Sequence, residues 1–438
     1  MRKSVAIILL MYVVTQAHAA SLVHRIVVNG VINPVAAEYI AQAVERAESE
    51  QAEALLIQLD TPGGLMASMH EIMKSIQGAR VPVIVYVAPS GARAASAGVF
   101  ITYSAHIAAM APATNIGSAH PVFGGNMPGS AQTDTLSGSI MMEKVTNDAI
   151  AKIKAVAQSR GRNAEWAEQA IRESANITAE EALKKDVIDY IAATTEDLMT
   201  QLDGRMVTLD DNSRHTLRTA AATVITYEMT WRQRLLDIIT NPNVAYILMM
   251  IGTMGIMFEL YNPGSIVPGV AGGIALITGF FALNTLPVDF AGYLLILFAI
   301  ILFILEIKIT SYGILSIGGV VALLIGSIML FKSPLPELRA SLQVVLFMVV
   351  IMAAFFLFVI GLALKAQKKR PLTGMEAMVG KTGKVTLPLK PTGTILVHGE
   401  YWRARAEDAP LKKGTPVRIV GVDDEHLLLK VRAEDQPA

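Results

Sequence analysis

Ser96 lies in a stretch of small residues, Ala88 to Ile101, with the sequence APSGARAASAGVFI. A strand pattern, VPVIVYVA, leads into the stretch and a helical pattern, SAGVFITYSA, leaves it, which predicts a sharp turn with Ser96 at the start of a helix. Small neighbours would let a substrate backbone approach the hydroxyl, and the N–H of Ala97 would face developing negative charge. The same residues also suit a tightly packed strand–helix junction with Ser96 as a helix N-cap.

A second motif, LDTPGG, ends the preceding strand–helix unit at Asp60 to Gly64. Paired glycines expose backbone N–H groups, and Pro62 stiffens the turn. In a parallel sheet both loops emerge at the carboxyl edge, where sites form. We therefore expect the N–H groups of Gly64 and Ala97 to form an oxyanion hole, with Gly63 as a further donor.

A serine nucleophile needs a base, and the sequence offers His120 in GSAHPV and Lys144 in MMEKVTNDAIAKI. A lysine base must be desolvated before its pKa approaches the working pH. The apolar residues expected to desolvate Lys144 are Met141, Met142, Val145 and Ile150. Otherwise Lys144 is a solvated charge on an amphipathic helix and His120 an ordinary loop histidine, and the residue types leave both interpretations open.

Strand and helix patterns alternate from about residue 22 to 195, which predicts parallel βαβ units in an α/β domain over residues 21–228. The chain has 438 residues, 53% of them hydrophobic, which indicates membrane spans. Its net charge of zero gives no indication of a nucleic-acid partner. The absence of cysteine excludes a disulfide framework, a thiolate metal site and a cysteine nucleophile, and we expect no metal and no cofactor.

Residues 1–20 have the positive start, apolar run and Ala-x-Ala site of a signal peptide. Residues 229–243 resemble an amphipathic helix on a membrane surface, with Trp231 at its boundary. The hydrophobic region 244–364 predicts five membrane helices, at about 244–261, 266–285, 291–309, 313–331 and 342–364. A basic cluster, Lys365 to Arg370, should stay in the cytoplasm. An odd number of spans then places the N-terminal domain outside, as a signal peptide requires.

The first four predicted spans form an internal repeat. Tyr246 and Glu259 recur at the same separation as Tyr293 and Glu306, and a glycine-rich helix follows each pair. The two glutamates suit interfacial or capping roles, whereas a transport role would require them to be deep in the membrane and paired.

Residues 372–434 show short alternating strands with glycine and proline turns, which predicts a small all-β barrel of the OB or SH3-like kind. Tyr401 and Trp402 are its only large aromatic residues, and its charges are mixed, so a base-stacking platform for nucleic acid is not expected.

The motifs LDTPGG, ARAASAG and NIGSAHP, followed by KVTNDAIAKI, resemble the long-form NfeD membrane-bound serine proteases. These belong to the ClpP/crotonase-like superfamily and are similar to signal peptide peptidase A. The glycine-rich spans and the C-terminal barrel resemble the NfeD membrane and OB regions. The resemblance covers essentially the whole mature chain.

The resemblance implies a serine endopeptidase with a Ser–Lys dyad, in which Ser96 is the nucleophile, Lys144 the base and the LDTPGG glycines the oxyanion loop. His120 falls about where ClpP proteins carry their catalytic histidine, and is the alternative base. The implied substrates are hydrophobic segments of membrane-associated, stomatin-like (SPFH) proteins, cleaved in membrane protein quality control. A homo-oligomer in the bacterial inner or plasma membrane is also implied, in contact with lipid. A non-enzymatic NfeD scaffold or stomatin partner is the alternative function.

Overall fold

A computed structural model of the chain describes residues 21–122, 135–262, 264–286, 288–309, 311, 313–331, 333, 338–367, 375–423 and 426–434. Residues 135–139, 307–308 and 359–367 are described by their backbone alone. The predicted signal peptide and most of the predicted loop between His120 and Lys144 lie outside the described residues.

The first part of the chain is an α/β domain. Its strands are β1 (Leu22–Asn29), β2 (Ala54–Asp60), β3 (Val83–Val87), β4 (Arg93–Ala95), β5 (Ile107–Met110), β6 (Asn115–Gly117), β7 (Asn176–Thr178), β8 (Tyr190–Ile191), β9 (Met206–Thr208), β10 (Arg214–Thr216) and β11 (Thr223–Thr226). Its helices are α1 (Pro34–Ser49), α2 (Met66–Gln77), α3 (Ala97–Ser104), α4 (Thr135–Arg160), α5 (Ala164–Arg172), α6 (Ala179–Lys184) and α7 (Thr195–Leu202). The predicted βαβ alternation is confirmed.

Six parallel strands form the central sheet, in the order β11-β1-β2-β3-β5-β8. Its central strands are apolar because both faces are covered. In β2 the alternation of side chains sends Leu55 and Ile57 into one core, beneath helices α1 to α5, and Leu56 into a second core on the opposite face, with α7. A smaller sheet of β4, β6 and β7 lies beside the main one and carries the turn that contains Ser96.

Helix α8 (Trp231–Ile239) follows the domain and is docked on α1 through polar side chains. The amide of Gln233 donates to Gln42 at 3.0 Å, and the amide of Asn33 donates to Asp237 at 2.8 Å. On the other side an apolar face is exposed, formed by Trp231, Leu235 and Ile238. The predicted amphipathic helix is therefore present, with its polar side against the α/β domain.

Five apolar helices follow: α9 (Pro242–Tyr261), α10 (Val267–Asn284), α11 (Phe290–Lys308), α12 (Ile314–Leu330) and α13 (Leu342–Gln367). The expectation of five membrane spans needs correction. Among the described residues only α9 and α10 are long and apolar enough to cross a bilayer, with mean hydropathies of 1.7 and 1.6. The described apolar parts of the other three contain fewer than 18 residues, or less than about 27 Å of helix, against a hydrocarbon core of about 30 Å.

The internal repeat appears as two helical hairpins, α9–α10 and α11–α12. The carboxylate of Glu259 accepts hydrogen bonds from Gly264 N–H at 3.2 Å and the Ser265 hydroxyl at 3.0 Å. That of Glu306 accepts from Ser311, Gly313 and Ser316, at 2.7 to 3.0 Å. Each glutamate thus anchors the turn that starts the following helix, which supports the capping interpretation.

The residues after Ala354 form a second compact unit. It contains a short 3₁₀ helix (Met375–Met378) and the strands β12 (Thr382–Leu387), β13 (Thr392–Val397), β14 (Glu400–Ala406), β15 (Pro416–Asp423) and β16 (Leu428–Ala433). The strands close into a barrel in the order β12-β13-β14-β16-β15, around a core that includes Val385, Ile395 and Val431. The predicted small β-barrel is confirmed.

Candidate functional site

Ser96 stands at the turn between β4 and α3 in a conformation that is rare for a residue with a side chain. Its φ is 52° and its ψ is −110°, and its N–H is held by the carbonyl of Gly117 at 3.0 Å. Such backbone strain costs about 1–3 kcal/mol and is concentrated at functional sites. Ser96 occupies the N-cap position of α3, but its side chain makes no capping hydrogen bond, so the half-buried hydroxyl is not used by the helix.

The LDTPGG turn lies directly against this serine. Thr61 pairs with β4 through its backbone, donating to Arg93 at 2.8 Å and accepting from Ala95 at 3.0 Å. This pairing brings Gly63 so close that an added Cβ would lie 2.6 Å from the Ser96 Cβ. A Cβ on Gly98 would likewise lie 2.8 Å from the Thr61 side chain. The residues are small because the two loops touch through their backbones.

The backbone amides of Gly64 and Ala97 are the two main oxyanion donors expected from the sequence. Ile32 pairs with the residues on either side of Gly64, donating to the carbonyl of Gly63 and accepting from the N–H of Leu65, so the N–H of Gly64 points away from Ile32. Neither amide has a hydrogen-bond acceptor among the residues that the structure describes. The N–H of Ala97 also opens α3, where the helix dipole favours negative charge. The N–H of Gly63 is already engaged by the Thr61 hydroxyl, at 3.0 Å.

Ser96, Gly64 and Ala97 line one cavity of about 130 Å³. Its walls are largely apolar, with side chains from several elements, namely Leu65, Met66, Met69, Phe100, Val122 and Leu338. Ser333 and Leu338 reach it from the segment between α12 and α13. A serine hydroxyl, two unengaged amides and an apolar wall therefore share one space.

His120 lines the same cavity and is half-buried. Its Nδ1 lies 2.8 Å from the carbonyl oxygen of Ile171, and because a carbonyl only accepts, Nδ1 carries the proton. In the neutral ring Nε2 then has a free lone pair. The structure thus gives His120 the tautomer that a base at Nε2 requires.

Lys144 lies on α4 with its side chain exposed, outside the described lining of the cavity. The expected apolar enclosure is not formed here, since Met141 is 48% exposed and Ile150 is turned into the domain core. Asp148, one turn further along the same helix face, does line the cavity. Lys144 is therefore about 6 Å along the helix axis from a cavity residue.

Charged residues at the cavity rim were not identified from the sequence. Lys152 Nζ lies 2.6 Å from Asp148 and 3.5 Å from Nε2 of His70, and both of these partners line the cavity. Burial, followed by the positive charge of Lys152, lowers the pKa of His70. The i, i+4 spacing of Asp148 and Lys152 was the available signal for an ion pair, but the contact with α2 depends on tertiary packing.

Three family models match the chain in succession. Residues 22–211 match the NfeD1b N-terminal domain, 243–362 the NfeD integral membrane domain, and 375–430 the NfeD-like C-terminal, partner-binding domain. Together with the fold, these matches define a membrane protein that combines an α/β domain, helical hairpins and a partner-binding barrel.

Over 434 residues the chain is 35% identical to the membrane-bound protease PH1510 of Pyrococcus horikoshii, with 97% of this chain and 96% of that protein covered. The chain belongs to this NfeD family of membrane-bound proteases. The kinship supports a protease role.

Two solved structures of the 1510-N membrane-bound stomatin-specific protease are also similar. One is a lysine-to-alanine mutant in complex with a substrate peptide, 34% identical, which covers 50% of this chain and 97% of its own, with a TM-score of 0.45. The other is a serine-to-alanine mutant, 35% identical, which covers 48% of this chain and all of its own, with a TM-score of 0.44.

Proposed function

We propose that the protein is a membrane-bound serine endopeptidase with Ser96 as its nucleophile. The observation that carries the proposal is the position of Ser96, which has a strained backbone and makes no capping hydrogen bond with its side chain. Ser96 lines a cavity together with Gly64 and Ala97, whose N–H groups are unengaged. A nucleophile held on a strained strand-to-helix turn beside amide donors is an arrangement that suits acyl transfer.

In the proposed reaction a neutral base removes the hydroxyl proton of Ser96 as its oxygen attacks the peptide carbonyl. The N–H groups of Gly64 and Ala97 stabilise the resulting oxyanion. The protonated base then gives its proton to the leaving amine, and water hydrolyses the acyl-enzyme. Gly63 would act mainly by leaving room for Ser96, because its own N–H is engaged.

We assign the base to Lys144, with His120 as the alternative. Family membership favours the lysine, which lies one helical turn before Asp148 at the cavity wall. Because Lys144 is exposed, the proposal requires bound substrate to exclude water from its amine. His120 is favoured by its tautomer and by its position in the cavity.

Reciprocal variants of the full chain in detergent distinguish the two bases. Cleavage of apolar peptides is measured for Lys144→Ala and His120→Ala, with Ser96→Ala as the inactive reference. The proposal expects Lys144→Ala to lose activity as fully as Ser96→Ala and His120→Ala to retain most of it. Loss in the histidine variant alone would transfer the role of base to His120.

The proposed substrate is a hydrophobic segment of a stomatin-like membrane protein, cleaved in membrane protein quality control. The apolar cavity wall is compatible with such a segment, and the P. horikoshii protease is described as stomatin-specific. The partner-binding barrel supports a stomatin-type partner. We also propose that the protein is a homo-oligomer.

The proposed topology has a cleaved signal peptide, an extracytoplasmic α/β domain, an apolar helical region that crosses the membrane and a cytoplasmic barrel, with the domain boundaries given above. The exposed face of Trp231, Leu235 and Ile238 supports contact of α8 with lipid. The orientation can be tested by adding a protease to sealed vesicles of the cytoplasmic membrane. The proposal expects the barrel to be protected in right-side-out vesicles and to be cleaved in inside-out vesicles.

A non-enzymatic scaffold remains the second candidate. Two observations favour it: the exposure of Lys144 and the match of the barrel to a partner-binding domain. It predicts that wild-type protein and Ser96→Ala bind a stomatin-like partner equally and that neither cleaves it.

A further inference from the structure

A second cavity, of about 430 Å³, lies next to the catalytic cavity. One wall is the segment Asn29 to Val31, where β1 ends in the α/β domain. The lining also includes the start of α9 at Asn241 to Asn243, Thr285 and Leu286 after α10, and Arg339 and Ser341 before α13. The cavity is therefore lined both by the α/β domain and by one end of the apolar helices.

The two cavities are neighbours. Leu65, in the turn after the LDTPGG motif, and Leu338 line both of them. A peptide bound beside Ser96 would need to pass these two leucines to enter the second cavity, whose lining includes the ends of α9 and α10.

The lining of the second cavity suits an extended peptide. Asn29, Asn241 and Asn243 supply amide groups, and Val31 and Leu286 supply apolar surface. The side-chain oxygens of Asn241 and Asn243 already accept backbone N–H groups, and the carboxylate of Asp237, also in the lining, accepts from Asn33. The Nε of Arg339 donates to the carbonyl of Ser333, while its two terminal amino groups have no acceptor among the described residues. Neutral amides and a guanidinium bind main-chain carbonyls without demanding one side-chain sequence.

Open backbone at Gly30 adds room on the same wall. Its φ is +114°, and a Cβ at this position would meet nothing within 4 Å. The volume is within the range of about 300–1,000 Å³ that is typical of ligand sites. A peptide flank of about four residues, roughly 13 Å when extended, is a reasonable occupant.

We propose that the second cavity binds the flank of the substrate that connects the scissile bond to the membrane. The proposal rests on the proposed protease function. The bound flank would then fix the number of residues between the scissile bond and the membrane-embedded segment of the substrate. The enzyme would cut a peptide bond a few residues outside that segment. Arg339 and Asn29 are positioning residues in this scheme, because they contact a part of the substrate that is distant from the reacting atoms.

Peptide affinity for the full-length Ser96→Ala protein in detergent tests this site without requiring turnover. Fluorescence anisotropy compares a short apolar peptide with the same peptide extended by about four residues on its N-terminal or its C-terminal side. One of the extended peptides is expected to bind more tightly than the short one. Adding Asn29→Ala should weaken that peptide about 3- to 10-fold and leave the short peptide unchanged, and Arg339→Ala, which also releases Ser333, should weaken the extended peptide more than the short one.

Arg232→Ala is the matched control, because this arginine is exposed on α8 and does not line the cavity. Equal affinity for short and extended peptides, or equal weakening of both by Arg339→Ala, would overturn the proposal. Cleavage by the wild-type protein is a separate readout. Tighter binding of an extended peptide without any cleavage would leave the second cavity as a peptide site and reject the protease function.

Discussion

Replacing Gly63 with alanine is expected to disable the nucleophile more severely than it destabilises the domain. Gly63 is buried and has a φ of +118°, which a residue with a side chain rarely adopts. The new Cβ would lie 2.6 Å from the Ser96 Cβ and 3.0 Å from its hydroxyl oxygen. Because Gly63 is fixed by the Thr61 hydroxyl and by Ile32, Ser96 is the group that must move.

The size of the effect follows from these contacts. Backbone strain at a glycine-only φ costs about 1–3 kcal/mol, and overpacking adds about 1–3 kcal/mol. A total of about 2–6 kcal/mol corresponds to a fall in Tm of about 4–24 °C for a domain of this size. A displacement of about 1 Å at a reacting atom costs about 100-fold in rate.

The assay combines thermal unfolding with the rate at which a fluorophosphonate labels the full-length protein in detergent. Gly91→Ala is the control, because Gly91 has a φ of +88° but a Cβ there meets nothing within 4 Å. Gly91→Ala should lower Tm slightly and label at the wild-type rate, whereas Gly63→Ala should label about 100-fold more slowly. Labelling of folded Gly63→Ala at the wild-type rate would refute the argument that Gly63 makes room for Ser96.

Three further predictions concern stability. Burial, reinforced by the positive charge of Arg160, lowers the pKa of His106 from 6.5 to about 3, so between pH 6.5 and 3 only the unfolded chain takes up this proton. The free energy of unfolding should therefore fall as the pH falls, by about 2 kcal/mol at pH 5. Urea unfolding of His106→Gln should show a shallower pH dependence than the wild-type protein. In the first hairpin Gly272→Leu should lower Tm, because a Cβ at position 272 would lie 2.8 Å from the carbonyl oxygen of Gly252. Gly273→Leu is the control and should leave Tm unchanged, because a Cβ at position 273 meets nothing within 4 Å. Equal falls in Tm would contradict the close packing of α9 and α10. Glu306→Gln should destabilise the protein by about 1–3 kcal/mol, and more than Glu259→Gln does. The reason is that Glu306 accepts hydrogen bonds from three residues and Glu259 from two. A larger fall in Tm for Glu259→Gln than for Glu306→Gln would reject the capping role.

Much of the α/β domain was predictable because buried parallel strands have mostly apolar sequences, such as ALLIQLD in β2 and VIVYV in β3. The proximity of the LDTPGG turn to Ser96 was predictable as well, since the loops that leave parallel strands meet at one edge of a sheet. The positive φ of Ser96 was not, because serine is not a residue type that signals a left-handed backbone.

The environment of Lys144 shows a different limit. Helical periodicity predicts which face of α4 is apolar, but what packs against that face is decided by distant parts of the chain. Ile150 was expected to desolvate the lysine and instead belongs to the domain core. Ser333 and Leu338 reach the cavity beside Ser96 from beyond α12, and no local sequence pattern predicts such a contact.

The most direct test of the central claim is to locate the residue that a fluorophosphonate modifies in the full-length wild-type protein, by mass spectrometry of proteolytic fragments. The account predicts one modified peptide, carrying the adduct on Ser96, and none in Ser96→Ala protein that unfolds at the wild-type temperature. An adduct on a different serine, or no adduct on the folded wild-type protein, would contradict it.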